Sequence, residues 1–243
     1  MEQHPQNGND VTAIARLLKE NNDRMRRQPQ SVMKMKIWYT TVKISVFLKR
    51  FFDIVISISA LIVLFPLFAV LALLVKYSSR GPVFFVQERV GRYGRHFRFY
   101  KFRSMYVDAE RRRQELLQYN QSGDGVIFKM KNDPRITPVG RFIRKTSLDE
   151  LPQFINVLFG DMSLVGPRPP LPSEVAQYSL EDRKRLNIKP GLTCLWQIRG
   201  RSDIPFKKQL SLDKEYIQSQ SLWKDFLILL KTIPAIISGR GAY

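Results

Sequence analysis

Residues 54–75 read IVISISALIVLFPLFAVLALLV, 22 consecutive positions without a charged side chain, and this stretch decides the class of protein. At about 1.5 Å per residue, a helix of that length covers the roughly 30 Å hydrocarbon core of a bilayer. Leu, Ile, Phe and Val each favour insertion by about 0.3 to 0.6 kcal/mol, so the segment should partition into lipid. The run begins far from Met1 and lacks a small-residue cleavage site, which predicts an anchor and not a signal peptide.

The flanks bear on topology. Lys43, Lys49 and Arg50 precede the run, and Lys76, Arg80, Arg89, Arg92 and Arg95 follow it, so the positive-inside rule places both ends in the cytoplasm. Pro66 cannot donate to the carbonyl of Ile62 and its ring crowds that turn, which predicts a sharp bend at Phe65-Pro66. A helix that dips into one leaflet and returns satisfies both facts. A straight span with a tolerated proline is the competing topology, and the residues alone leave the two open.

The whole chain has 243 residues with 44% hydrophobic content, enough for a packed core of one sizeable domain. Forty Lys and Arg against 21 Asp and Glu give a formal charge of +19, which points to a polyanionic partner: nucleic acid, anionic lipid or a phosphorylated small molecule. A single cysteine, Cys194, excludes an internal disulfide and a cysteine-rich metal site, and having only two histidines, His4 and His96, argues against zinc chemistry. Carboxylates, hydroxyls and basic side chains must then carry any catalysis.

Elsewhere the pattern predicts a helix over 11–27 after a cap at Asp10, and an interfacial or solvated helix over 32–48 containing Trp38, Tyr39, Lys34, Lys36 and Lys43. Residues 82–88 and 96–103 read as the strands of a β-hairpin joined at Gly91 to Gly94. A charged helix over 106–119, a loop over 122–125, a brief strand over 126–129 and helical turns over 137–145 and 151–159 follow, the last closed by Gly160. Residues 222–237 are apolar with interspersed charge and Pro234, which suits the membrane interface.

Four clusters carry candidate chemistry. Arg144-Lys145-Thr146-Ser147-Leu148-Asp149-Glu150 sets two basic residues before an acidic pair. Ser147-Leu148-Asp149-Glu150 also matches the S-x-x-E capping box, although Pro152 spoils the regular helix such a box introduces. The run from Gly160 to Pro170 is a rigid turn that presents Arg168, either for a bidentate phosphate contact or as a solvated surface charge. Lys189 to Ser202 joins Trp196 and Gln197 with Arg199, Arg201 and glycines; it reads as a nucleotide receiver, or as a core tryptophan with surface arginines. Lys101-Phe102-Arg103 ends the hairpin as a further basic element, while Asp108 and Glu110 form an acidic pair read as solvated on a helix.

Together these segments resemble the bacterial sugar transferase family of monotopic polyprenyl phosphate phosphoglycosyl transferases. The resemblance rests on Lys49-Arg50-Phe51-Phe52-Asp53 leading into the apolar run, Gly81 to Gly91, Tyr100 to Met105, Ser147 to Gln153, Asp161 to Pro169 and Gly191 to Arg201, in that order. It covers residues 48–243. The resemblance implies transfer of a sugar 1-phosphate from a UDP-sugar to undecaprenyl phosphate with release of UMP, initiating exopolysaccharide, O-antigen or glycoconjugate assembly. Asp149 would be the nucleophile of a ping-pong cycle through an acyl phosphate. Glu150 would be its partner carboxylate, with Asp149 and Glu150 as ligands of a required Mg²⁺. Lys101, Arg103, Arg144, Arg168, Trp196, Gln197, Arg199 and Arg201 would hold phosphate and nucleotide. Two departures stand out: Phe65 replaces the Ser that many members carry before the membrane proline, and Cys194 replaces a frequent Gly.

The fold class expected is α+β: a mainly helical cytoplasmic catalytic domain with a small β-hairpin, anchored by a re-entrant membrane helix kinked at Pro66 and by interfacial amphipathic helices. The domains would be a basic N-terminal extension over 1–48, the re-entrant helix over 49–76 and the catalytic domain over 77–243. The resemblance implies a place on the cytoplasmic face of a bacterial inner membrane, with membrane lipid as a partner, no nucleic acid, and a homodimer compatible with the amphipathic C-terminus. The alternative is a membrane-tethered binder of nucleic acid or anionic lipid, motivated by the charge alone; it leaves the acidic pair at Asp149-Glu150 without a task.

Overall fold

The computed structural model describes residues 19–20, 29–121, 128, 130–239 and 241. The helix expected over 11–27, with its cap at Asp10, lies outside them apart from residues 19–20, which are helical; the loop over 122–125 and most of the strand over 126–129 also lie outside. The chain divides into two compact units, Met1–Leu48 and Lys49–Tyr243. In the first, the described side chains from residue 32 to residue 47 are all exposed, with Lys43 over the ring of Tyr39 at 4.4 Å.

Helix α1 (Pro29–Val63) carries the chain into the second unit, and helix α2 (Phe65–Ser78) follows. Their axes differ by 63°. The break falls at Leu64, one residue ahead of the expected Phe65-Pro66. Leu64 still donates to Ala60 O, and Phe68 donates to Leu64 O, both at 2.9 Å. The proline therefore ends one helix by its missing N–H and starts the next in the first turn, where no N–H is needed. Among the described residues no single helix is long and apolar enough to cross a membrane, and the bent pair together has the length and composition for one crossing.

Strands β1 (Phe84–Val90) and β2 (His96–Phe102) form the expected antiparallel hairpin, with Phe84 opposite Phe102 and Val90 opposite His96. Helices α3 (Ala109–Leu116), α4 (Pro138–Lys145) and α5 (Gln153–Phe159) follow, and Gly160 closes α5 in the left-handed region at φ 89°. Asp108 and Glu110 form ion pairs with Arg112 and Arg113 on and beside α3. Strands β3 (Ser163–Val165) and β4 (Gly191–Thr193) pair in parallel, a contact the turn-rich sequence around them did not announce. The pairing needs glycine: a Cβ on Gly191 would lie 2.0 Å from the amide of Gly166. Helices α6 (Phe206–Gln218) and α7 (Leu222–Ser238) complete the chain. The architecture is α+β and mainly helical.

The core gathers Val157, Met162, Leu164, Leu195, Trp196, Leu212, Tyr216 and Ile228, each large side chain contributing about 1.5–3 kcal/mol by burial. A second cluster sets Leu71 and Val75 of α2 against Phe102 and Ile143. Cys194 is buried in the main core, so the close backbone approach falls to Gly191 and not to residue 194.

Both ends of the bent pair's second-unit portion are tied down by polar contacts. Lys49 forms an ion pair with Asp225, and Arg50 donates to the carbonyls of Val157 and Leu158 at the end of α5, at 2.6 and 2.8 Å. Asp53 accepts from Ser163 Oγ and from the Leu164 amide. At the far end Arg103 donates to Ser79 O at 2.6 Å, satisfying a carbonyl just past the last turn of α2.

Candidate active site

Thr137 caps α4 by accepting from the Gly140 amide at 2.9 Å, and the chain then reverses through Ser147 in the left-handed region at φ 56°. A short 3₁₀ turn, Leu148–Glu150, presents Asp149 and Glu150. The capping-box reading fails here: Ser147 makes no cap bond, because its left-handed backbone turns the hydroxyl elsewhere, and it accepts instead from Arg201 Nη2. Pro152 then opens α5.

The turn packs against β2, and Lys101 reaches it from there. Its Nζ lies 2.6 Å from Glu150 Oε1 and 3.7 Å from Asp149 Oδ2. Arg168 Nη1 lies 3.8 Å from the same Glu150 oxygen, and its guanidinium sits 5.9 Å from the centroid of the Trp196 ring. Asp149 is only 6% exposed, and among the described residues its carboxylate accepts no hydrogen bond. Asp149, Glu150, Lys101, Arg144, Arg168 and Arg201 all face one cavity of about 530 Å³.

Burial pushes the Glu150 carboxyl up, but Lys101 and then Arg168 outweigh it and hold it at about 2. For Asp149 burial wins: its carboxyl stands above the usual aspartate range despite the pull of Lys101, and the neighbouring Glu150 charge adds to the rise. Two adjacent carboxyls are thus driven apart, one charged and paired, the other more basic and without donors.

The other anticipated residues divide. Arg144 lines the cavity close enough to Asp149 to feel its charge. Trp196 is both core and cavity wall, its buried Nε1 without a hydrogen-bond partner among the described residues, and Gln197 accepts from Cys194 Sγ. Arg103 reaches the cavity wall, but its Nη2 is committed to the end of α2. Arg199 is not brought in: it forms a bidentate pair with Glu215 on the surface. Sequence reasoning missed Arg89, which is buried on the cavity wall with its guanidinium bonded to Gln87 and Pro169 O, and missed Ser147 as a partner of Arg201. Only the clustering of those positions in space marks them.

For a divalent cation the donor set is informative. Among the described residues no group of three or more His, Cys, Asp and Glu side chains is placed to hold a metal. The two carboxylates on one cavity fit Mg²⁺, which typically takes one or two carboxylates and completes its shell with water and substrate phosphate.

The sequence pattern of bacterial sugar transferases matches residues 44–239. The chain belongs to the bacterial sugar transferase family. Family relatives include the galactosyl transferase CpsE of Streptococcus agalactiae, 50% identical over 80% of this chain and 43% of the relative. The undecaprenyl-phosphate galactose phosphotransferase of Salmonella typhimurium is 47% identical over 81% of this chain and 42% of its own length. The exopolysaccharide production protein ExoY of Sinorhizobium fredii is 43% identical over 80% of this chain and 88% of its own. The chain thus spans less than half the length of the first two and most of the third. Sugar transferases are enzymes, and the family places the chain among them.

Proposed function

We propose that this protein transfers a hexose 1-phosphate from a UDP-sugar to undecaprenyl phosphate, through a phosphorylated Asp149, at the start of surface-polysaccharide assembly. The observation that carries the reading is the Asp149 carboxylate, buried and without donors in a cavity ringed by Lys101, Arg144, Arg168 and Arg201. The names of relatives support the substrates: one is a UDP-galactose-lipid carrier transferase and another a UDP-glucose:undecaprenyl-phosphate glucose-1-phosphate transferase.

The chemistry follows from the charges. An Asp149 oxygen attacks the phosphorus that bears the sugar, and the bond from that phosphorus to the oxygen of UMP breaks, so UMP leaves. An oxygen of the carrier phosphate then attacks the same phosphorus, the bond to Asp149 breaks, and the carboxylate is regenerated. Anion meets anion in both steps, so the cations around the cavity do the neutralising that makes attack possible. Glu150, ionised beside Lys101, holds that lysine in place. Mg²⁺, held by Asp149 and Glu150, would supply further neutralisation of phosphate oxygens.

The bent pair α1–α2 is the proposed membrane element. A 63° bend and basic residues on both flanks support a re-entrant helix with both ends on the cytoplasmic face of the inner membrane. The cavity borders α2 through Arg103, so that topology sets the site near the headgroup plane, where a lipid-borne phosphate and a soluble nucleotide sugar meet.

The test uses a UDP-sugar labelled at the sugar-bearing phosphorus. Label should appear on the polypeptide without carrier, with stoichiometric UMP, and undecaprenyl phosphate should discharge it. Asp149→Asn should lose labelling and at least about 10³-fold in UMP release while staying membrane-associated. Full turnover in that variant overturns the mechanism.

A further inference from the structure

The cavity wall carries a further buried carboxylate away from Asp149 and Glu150. Glu174 belongs to a short helical turn, Pro172–Val175, that packs on β1; it is 9% exposed and borders the same cavity as Asp149. Among the described residues its carboxylate accepts no hydrogen bond and forms no ion pair. Of the two arginines whose charge it feels, Arg89 has placed its guanidinium donors elsewhere, and Arg185 has placed both terminal nitrogens elsewhere while its buried Nε has no partner among the described residues. Arg89 bonds Gln87 Oε1 and Pro169 O. Arg185 bonds the Tyr178 hydroxyl and the Arg168 carbonyl, and pairs with Asp213.

Val175, Tyr178, Phe206 and Leu210 form one apolar cluster, which brings the start of α6 against this turn. Gln209 of α6 therefore joins the same wall. Its Nε2 donates to Ile204 O at 2.8 Å, its Oε1 accepts no hydrogen bond among the described residues, and the residue lines the cavity. This part of the wall thus adds a second carboxylate that accepts no hydrogen bond among the described residues, apart from the acidic pair that Lys101 and Arg168 serve.

A buried carboxylate without donors is costly unless a ligand supplies them. Phosphate oxygens cannot, because they bring negative charge and no proton. Sugar hydroxyls can. On the donor reading proposed above, the sugar hangs from the very phosphorus that Asp149 attacks, so its ring must lie within the same cavity.

We infer that Glu174, with Gln209 Oε1, accepts hydrogen bonds from hydroxyls of the transferred hexose and selects among UDP-hexoses. Ribose hydroxyls offer the same chemistry, so the test separates the two. Turnover is blocked with Asp149→Asn in the full chain in detergent. Binding of UDP-glucose, UDP-galactose and UDP is then measured by calorimetry with and without Glu174→Gln, which keeps the side chain's size. Loss of bonds to a charged acceptor should weaken the preferred UDP-hexose by roughly tenfold and alter the ratio between the two hexoses. UDP binding should stay unchanged, which also reports that the variant is folded. Equal weakening of UDP and UDP-hexose assigns Glu174 to the nucleotide and overturns the inference. Unchanged binding of all three overturns it as well. Failure of the Asp149→Asn parent to bind any UDP-hexose removes the donor reading itself, and the inference with it.

Discussion

Lys101 Nζ stands 2.6 Å from Glu150 Oε1 and 3.7 Å from Asp149 Oδ2, so one ammonium serves two adjacent carboxylates unequally. The nearer carboxylate is neutralised and fixed. The farther one keeps its oxygens open to the cavity while still feeling the positive charge, which is the balance a carboxylate nucleophile needs.

That inequality predicts a pH effect. Burial raises the Asp149 carboxyl and Lys101 is the foremost group opposing the rise. On the proposed mechanism attack requires the ionised form, so activity should fall as pH drops through a value above the usual aspartate range. Lys101→Met removes the opposing charge, raises Asp149 further and should move the acid limb of the rate profile to higher pH. A profile of UMP release against pH checks this; a limb that stays put, or moves down, contradicts the assignment.

Asp53 binds both the hydroxyl of Ser163 and the amide of Leu164, groups that are buried with it. Asp53→Ala strands both donors. A loss of about 1–3 kcal/mol per unsatisfied group is the order expected, read as a lower midpoint of thermal unfolding in detergent.

Pro66→Ala supplies a donor for Ile62 O, so a continuous helix through Leu64 no longer carries the penalty of about 3 kcal/mol that an interior proline imposes. The bend at Leu64 should relax, and tags on the two termini should become accessible from opposite sides of sealed vesicles. Retention of same-side accessibility would assign the bend to packing of α2 against Phe102 and Ile143.

Arg199→Ala should leave UMP release unchanged. Its pair with Glu215 is about half exposed on both sides, so the stability lost is at most about 1 kcal/mol. A large fall in activity would place Arg199 in the substrate path during turnover.

Much of the fold was legible because local rules governed it. The hairpin followed from alternating residues around Gly91 and Gly94, α4 was expected over 137–145, and the end of α5 followed from Gly160. The bend was placed to within one residue because a missing N–H is a local fact. The parallel pairing of β3 with β4 was not legible, since three-residue strands 26 positions apart leave no periodic signal. The site split the same way: Arg144 and Lys101 fell where the motifs put them, while Arg199, equally basic and two residues from Arg201, was drawn to Glu215 instead.

By itself the sequence determined the uncharged apolar run with its proline, the basic flanks, the acidic pair and the family those motifs belong to. Each is written in contiguous residues, whose chemistry does not depend on what folds beside them. Tertiary structure alone decided that Glu150 is the paired carboxylate and Asp149 the open one, that Ser147 serves Arg201, and that Glu174 faces the same cavity. Those outcomes depend on distances of a few ångströms between segments up to about a hundred residues apart, and on burial that only packing creates.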